Sequence, residues 1–169
     1  MNSTIRRAAL ALAIPALALG VAGCASEEPA AETTGGGLPD YCQQVTGEAL
    51  ATIAGDVRGT ADKDAVYAVK AEKAPDFGSF ARDGLYFVAV PTSGTDTDGN
   101  ASSDVPVLAV SGDFLADGGG LVFPADNVSK AYFRNLGVEV EPSGVVGYDA
   151  NQEAADQARE CAEKAAGGQ

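Results

Sequence analysis

The sequence predicts an α+β domain, an antiparallel β-meander of about four to five strands packed against N- and C-terminal helices and one short helix. Three observations predict it. Apolar residues recur at helical spacing only near the two ends of the domain and in one stretch around residue 130. Between them lie short runs of β-favouring residues separated by glycine- and proline-bearing turns. Setting aside residues 1–23 leaves 146 residues, enough chain for one domain with a sizeable core.

The first 38 residues are not part of that domain. Arg6 and Arg7 precede a largely apolar run from Ala8 to Leu19, and Val21-Ala22-Gly23-Cys24 follows. A basic start, a short apolar core and small residues before a cut are the parts of a secretory signal. The run is too short and alanine-rich to match a membrane span of about 20 residues. Val21 to Cys24 resembles the lipobox of bacterial lipoproteins. The resemblance implies cleavage before Cys24 and a diacylglyceryl thioether on its sulfur. The competing reading is an ordinary secretory signal with a coincidental cysteine. Residues 24–38 are then the lipidated cysteine and a flexible, acidic, glycine-rich tether.

The globular domain is expected over 39–166, with 167–169 as a tail. Asp40 and Gln43 form a capping-box pattern, and Cys42, Val45, Ala49 and Ile53 share one helical face, which predicts a helix over 41–54 with Cys42 in its first turn. Residues 56–64 read as a loop. Tyr67, Val69 and Ala71 alternate within a strand over 65–72. Phe77 and Phe80, after Pro75-Asp76, are expected at the edge of the core. Gly84 to Val90 is apolar on both faces and predicts a central strand. Thr92 to Asp104 reads as a loop around Asp98-Gly99, Val105 to Val110 as a strand, Gly112 to Gly120 as a turn and Leu121 to Phe123 as a short strand.

Asp126 is placed to cap a second helix carrying Val128, Ala131, Tyr132 and Leu136 on one face and stopping at Gly137. Val138, Val140, Val145 and Val146 could add an edge strand. Asp149 with Gln152 repeats the capping-box pattern before a last helix, whose face carries Ala154, Ala155, Ala158, Cys161, Ala162 and Ala165.

With Cys24 assigned to the lipid, Cys42 and Cys161 remain, in a compartment where disulfides persist. Two cysteines allow one intramolecular pairing, so a Cys42–Cys161 bridge is expected, against the reading of two free thiols. Because each cysteine sits on the apolar face of its predicted helix, the first and last helices are expected side by side, with the sheet as the opposite layer.

Composition excludes several chemistries. There is no histidine, which removes Ser-His-Asp and Cys-His catalysis and the ordinary zinc sites. No nucleophile elbow, Ser-x-x-Lys, phosphate-binding or dinucleotide glycine loop occurs. Gly118-Gly119-Gly120 precedes an apolar run without lysine and reads as a turn. Losing Arg6 and Arg7 from 11 basic residues leaves 9 against 24 acidic ones, a net charge of −15, which argues against nucleic acid and anionic surfaces as partners. Asp96, Asp98, Asn100 and Asp104 offer hard oxygen ligands for calcium. Ala101 and Val107 depart from the EF-hand pattern there, and a polar hairpin loop accounts for the same residues. Otherwise no cofactor is expected.

This order of features resembles that of the small uncharacterised lipoproteins of actinobacteria, a family that carries no activity over to the chain. The resemblance implies location and architecture: a lipid-anchored protein on the extracytoplasmic face of the cell membrane. The function expected is a non-enzymatic module binding an envelope protein, a glycan or a small ligand. The alternative is an extracytoplasmic hydrolase using a pair of carboxylates.

Overall fold

A computed structural model describes residues 37–95, 101–133 and 149–167, all within one compact unit, Thr34–Gln169. The expected secretory signal, the lipobox, the tether up to residue 36, the hairpin tip at 96–100 and the uncertain strand and helix end within 134–148 lie outside the described residues; Leu38, expected in the tether, packs on the core.

The architecture is α+β, with two antiparallel sheets. In the larger, β1 (Gln43–Gln44), β3 (Tyr67–Lys70), β4 (Leu85–Ala89), β7 (Val107–Ser111) and β8 (Val122–Pro124) lie in that spatial order. The smaller holds β2 (Gly59–Ala61), β5 (Thr92–Thr95) and β6 (Ala101–Asp104). The helices are α1 (Gly47–Asp56), α2 (Phe80–Asp83), α3 (Gly112–Asp117), α4 (Asn127–Tyr132) and α5 (Gln152–Gly167), with a 3-10 turn at Lys63–Ala65.

β4 sits in the middle of the large sheet, as its two-sided apolar run predicts. Alternation sends Tyr67, Val69, Phe87, Ala89, Val107 and Ala109 to one face, where the alanines of α5 and Cys161 cover them. Ala68, Val88, Leu108 and Val110 point to the other face, beneath Ala49 and Ile53 of α1, Phe114 of α3 and Tyr132 of α4. The central strands are therefore buried on both sides, in three layers.

That layering corrects one expectation. The first and last helices do not lie side by side; the sheet separates them. Helix α1 begins at Gly47, and Cys42 stands before it in a turn closed by the Cys42 N–H on the Pro39 carbonyl. The capping box at Asp40 does not form. Gln43 and Gln44 instead pair with Ala68 and Tyr67 at the sheet edge, which satisfies backbone groups that a helix would otherwise have used. Gly47, at φ 62°, swings the chain from strand into helix through a conformation that a side chain disfavours. Gly55, expected as the stop, lies inside α1.

The two loops expected at 56–64 and 92–104 instead contribute the strands of the small sheet. Its strands β5 and β6 continue the pairing register of β4 and β7 without a slip, from Leu85↔Ser111 through Ala89↔Val107 to Thr92↔Asp104 and Thr95↔Ala101. They form one long hairpin. Pro91 and Pro106 have no N–H to give to the ladder, and the pairing is interrupted between the two halves. The Val90 N–H still reaches the Pro106 carbonyl at 3.0 Å, while the Pro91 carbonyl accepts from the Asp62 N–H at 2.9 Å. The outer half then pairs with β2, Gly59 opposite Gly94. A Cβ on Gly59 would stand 2.4 Å from the Ser93 carbonyl oxygen, so this contact admits only glycine.

Four elements differ from expectation in smaller ways. The expected turn at 112–120 contains α3, ended by Gly118 in the left-handed conformation. Asp126 caps α4, as expected, and does so in a full capping box with Ser129, but the helix stops at Tyr132 and Val128 is exposed. Helix α5 starts at Gln152, so Asp149 stands too early to cap it; the Asn151 carbonyl accepts from Ala154 and Ala155. Of the two phenylalanines expected at the core edge, Phe80 is fully buried and Phe77 is exposed, its ring edge-on to Phe80 at 5.6 Å.

Candidate functional site

The covalent junction at Cys42–Cys161 is formed, with Cα atoms 5.8 Å apart. Its two sides differ. Cys161 is fully buried on the face of α5 that covers the sheet, between Ala158 and Ala162. Cys42 is half-buried in the turn before β1, next to Leu38, which packs on the same cluster. Polar contacts hold α5 at two further points. The Asn151 side-chain amide donates to the Lys73 carbonyl at 2.8 Å and accepts from the Lys73 N–H at 3.2 Å. Arg159 reaches Asp126 at 2.6 Å and Asp156 at 2.8 Å. On the exposed side, Lys164 donates to Glu160 at 2.6 Å, a contact that raises the lysine pKa.

Asp126 joins α5 to α4. One carboxylate oxygen accepts from the Ser129 N–H at 2.6 Å and the Ser129 hydroxyl at 2.7 Å, and the other accepts from Arg159. The Asp126 cap was legible in the sequence; its reciprocal partner Ser129 and the reach of Arg159 across 33 positions were not.

Of the four calcium-ligand candidates, Asp96, Asp98 and Asn100 lie outside the described residues. Asp104 is at the end of β6, where its carboxylate accepts from the Tyr132 hydroxyl at 2.7 Å and its carbonyl from the Thr92 hydroxyl at 3.2 Å. The Tyr132 bond ties the small sheet to α4, and the Thr92 bond joins its strands β5 and β6. Among the described residues no group of three or more histidine, cysteine, aspartate or glutamate side chains is gathered to hold a metal ion.

A further polar constellation lies at the end of β7, outside the residues the sequence singled out. Asp113 accepts from the buried Ser111 hydroxyl and from the Phe114 N–H at 3.0 Å, and the Ser111 oxygen accepts from the Leu121 N–H at 2.9 Å. The Ser111 hydroxyl, foremost, holds the Asp113 carboxyl below the ordinary carboxylate value; the Ser79 side chain and the Phe114 N–H act the same way, against partial burial. The spacing Ser-Gly-Asp ahead of three glycines is the readable trace of it. The fully buried Ser111 hydroxyl, held between Asp113 and the Leu121 N–H, fastens the end of β7 to the chain entering β8.

Cys24, the expected lipid attachment residue, lies outside the described residues. No helix among the described residues is long and apolar enough to cross a membrane. Asp104, Asp113 and Asp126 each serve a structural contact, and the junction of greatest chemical consequence is the covalent one. No family model, no curated protein and no solved structure matches the chain.

Proposed function

We propose that the chain is a cell-envelope lipoprotein whose α+β domain is a non-enzymatic interaction module outside the membrane. Cys24 carries the lipid, and residues 25–38 tether the domain that follows. The observation that carries this reading is the ordered set Arg6-Arg7, apolar run, Val21-Ala22-Gly23-Cys24. The Cys42–Cys161 bridge supports it, because such bonds persist in oxidising compartments. The partner is an envelope protein, a glycan or a small ligand; the acidic balance disfavours nucleic acid.

The test is mass spectrometry of the N-terminal peptide from the membrane fraction of a lipoprotein-processing bacterium. The proposal expects a chain beginning at Cys24 with a diacylglyceryl group on sulfur. Two acyl chains give stable anchoring, at about 0.8 kcal/mol per buried methylene. Cys24→Ala should release the domain or leave it uncleaved. A Cys24→Ala protein that is still processed and still membrane-bound contradicts the reading.

A further inference from the structure

We propose that the Cys42–Cys161 bridge is a mechanical clamp, which carries tension arriving through the N-terminal tether past the edge strand β1 and into helix α5. The proposal rests on the reading of residues 24–38 as an anchored tether. A partner moving relative to the membrane pulls on an anchored domain, and the pull enters where the chain joins the fold, just before Cys42.

Without the bridge, that load meets the weakest part of the sheet. Beyond the turn at Pro39–Cys42 comes β1, only two residues long and exposed at both. It pairs with β3 at the outer edge of the large sheet. The next bond is the Val45 N–H on the Val66 carbonyl, and α1 follows. An edge strand pulled from its end releases its bonds one after another. The load would then pass to α1 and draw Ala49 and Ile53 out of the core.

The bridge gives the load another path. Cys161 lies well inside a 16-residue helix, with Ala155, Ala158 and Ala162 buried against β3 and β4 on either side of it. Asn151 fixes the start of that helix to Lys73, and Arg159 fixes its middle to Asp126. Moving Cys161 requires many close contacts to break together, each weak alone and large in sum. The bridge spans 119 positions, so β1 and α1 lie inside the covalent loop and off the line of force.

Single-molecule force spectroscopy tests this on the full chain, with one handle at the N-terminus and the other at position 128, both attached without thiol chemistry. Val128 is exposed on α4, which packs on the face of the sheet opposite α5. With the bridge intact, the expected trace is one cooperative rupture. A dithiol added to the folded chain should lower the first rupture force and reveal an early release of about 50 Å, the length of some 15 extended residues covering β1 and α1. Cys42→Ala/Cys161→Ala should reproduce the reduced trace; if that variant does not fold, the dithiol arm decides alone. The same first force and the same early release with and without the bridge would overturn the clamp. An unlipidated Cys24 in cell-derived protein would instead remove the anchored tether and leave the force traces as they are.

Discussion

The two faces of the large sheet are covered in different ways. One lies chiefly under the long helix α5, whose buried residues are four alanines and a cysteine at Ala154, Ala155, Ala158, Ala162 and Cys161, with Phe80 of α2 packed in the same cluster. The other lies under three shorter helices that bring Ile53, Phe114 and Tyr132, joined by Phe133 beyond α4. Fully burying a large apolar side chain is worth about 1.5–3 kcal/mol, and an alanine methyl much less. The large-residue face is held by side-chain area. The alanine face packs close and takes its hold from specific ties: the bridge, the Asn151–Lys73 pair and the Arg159–Asp126 ion pair. Two helical coverings of one sheet thus rest on different physical terms.

The contrast can be broken most severely on the large-residue face. Phe114→Ala removes a fully buried ring from among Ile53, Leu108 and Val110, and should cost about 3–5 kcal/mol in urea unfolding. A cost below about 1 kcal/mol would mean that this face does not depend on area. On the other face the informative change is the reverse. Ala158→Leu forces extra volume under α5 where Cys161 and Asn151 limit its retreat, and should destabilise by about 1–3 kcal/mol. An unchanged midpoint would show slack that the close packing does not allow.

The polar ties give smaller effects. Asp126→Ala removes the cap of α4 and the partner of Arg159 together. The expected loss is about 1–2 kcal/mol, most of it from the cap, since the ion pair is partly exposed and screened. Asp126→Asn, which keeps an oxygen for the cap, should recover part of that loss.

The smallest expected effect is a pH dependence at Asp113. Its folded carboxyl lies below the ordinary aspartate value of 3.8 through the Ser111 bond foremost, so the group stabilises the fold above that value. The contribution disappears as pH falls through the lower, folded value. Unfolding midpoints measured from about pH 5 to about pH 2 should therefore show a component absent from Asp113→Asn. Parallel profiles for the two proteins would remove Asp113 from the account.

What the sequence disclosed follows the same division between area and specific ties. Leu85 to Ala89 announced itself as a central strand because a run buried on both faces is apolar throughout. The alanine face of α5 was legible at helical spacing, and the Cys42–Cys161 pair by count. The side of the sheet taken by each helix was not. Val45, Ala49 and Ile53 are all buried, and their spacing extends back to Cys42 as though one helix ran through them. Periodicity cannot mark the point where β1 hands over to α1. Strands β5 and β6, Thr-Ser-Gly-Thr and Ala-Ser-Ser-Asp, hold almost no apolar signal; they are strands because they extend the register of β4 and β7. The contact of Arg159 with Asp126 depends on the fold being closed, which local spacing does not encode.

Hydrogen exchange on the folded domain, with the bridge intact and after reduction, tests the difference between the faces most directly. The account predicts that reduction speeds exchange chiefly in α5 and in Cys42 to Val45, while the amides of α1 and α3 keep most of their protection. Equal loss of protection in α1 and α5, or no change in α5, would contradict the claim that the alanine face is held by its ties and the opposite face by its side chains.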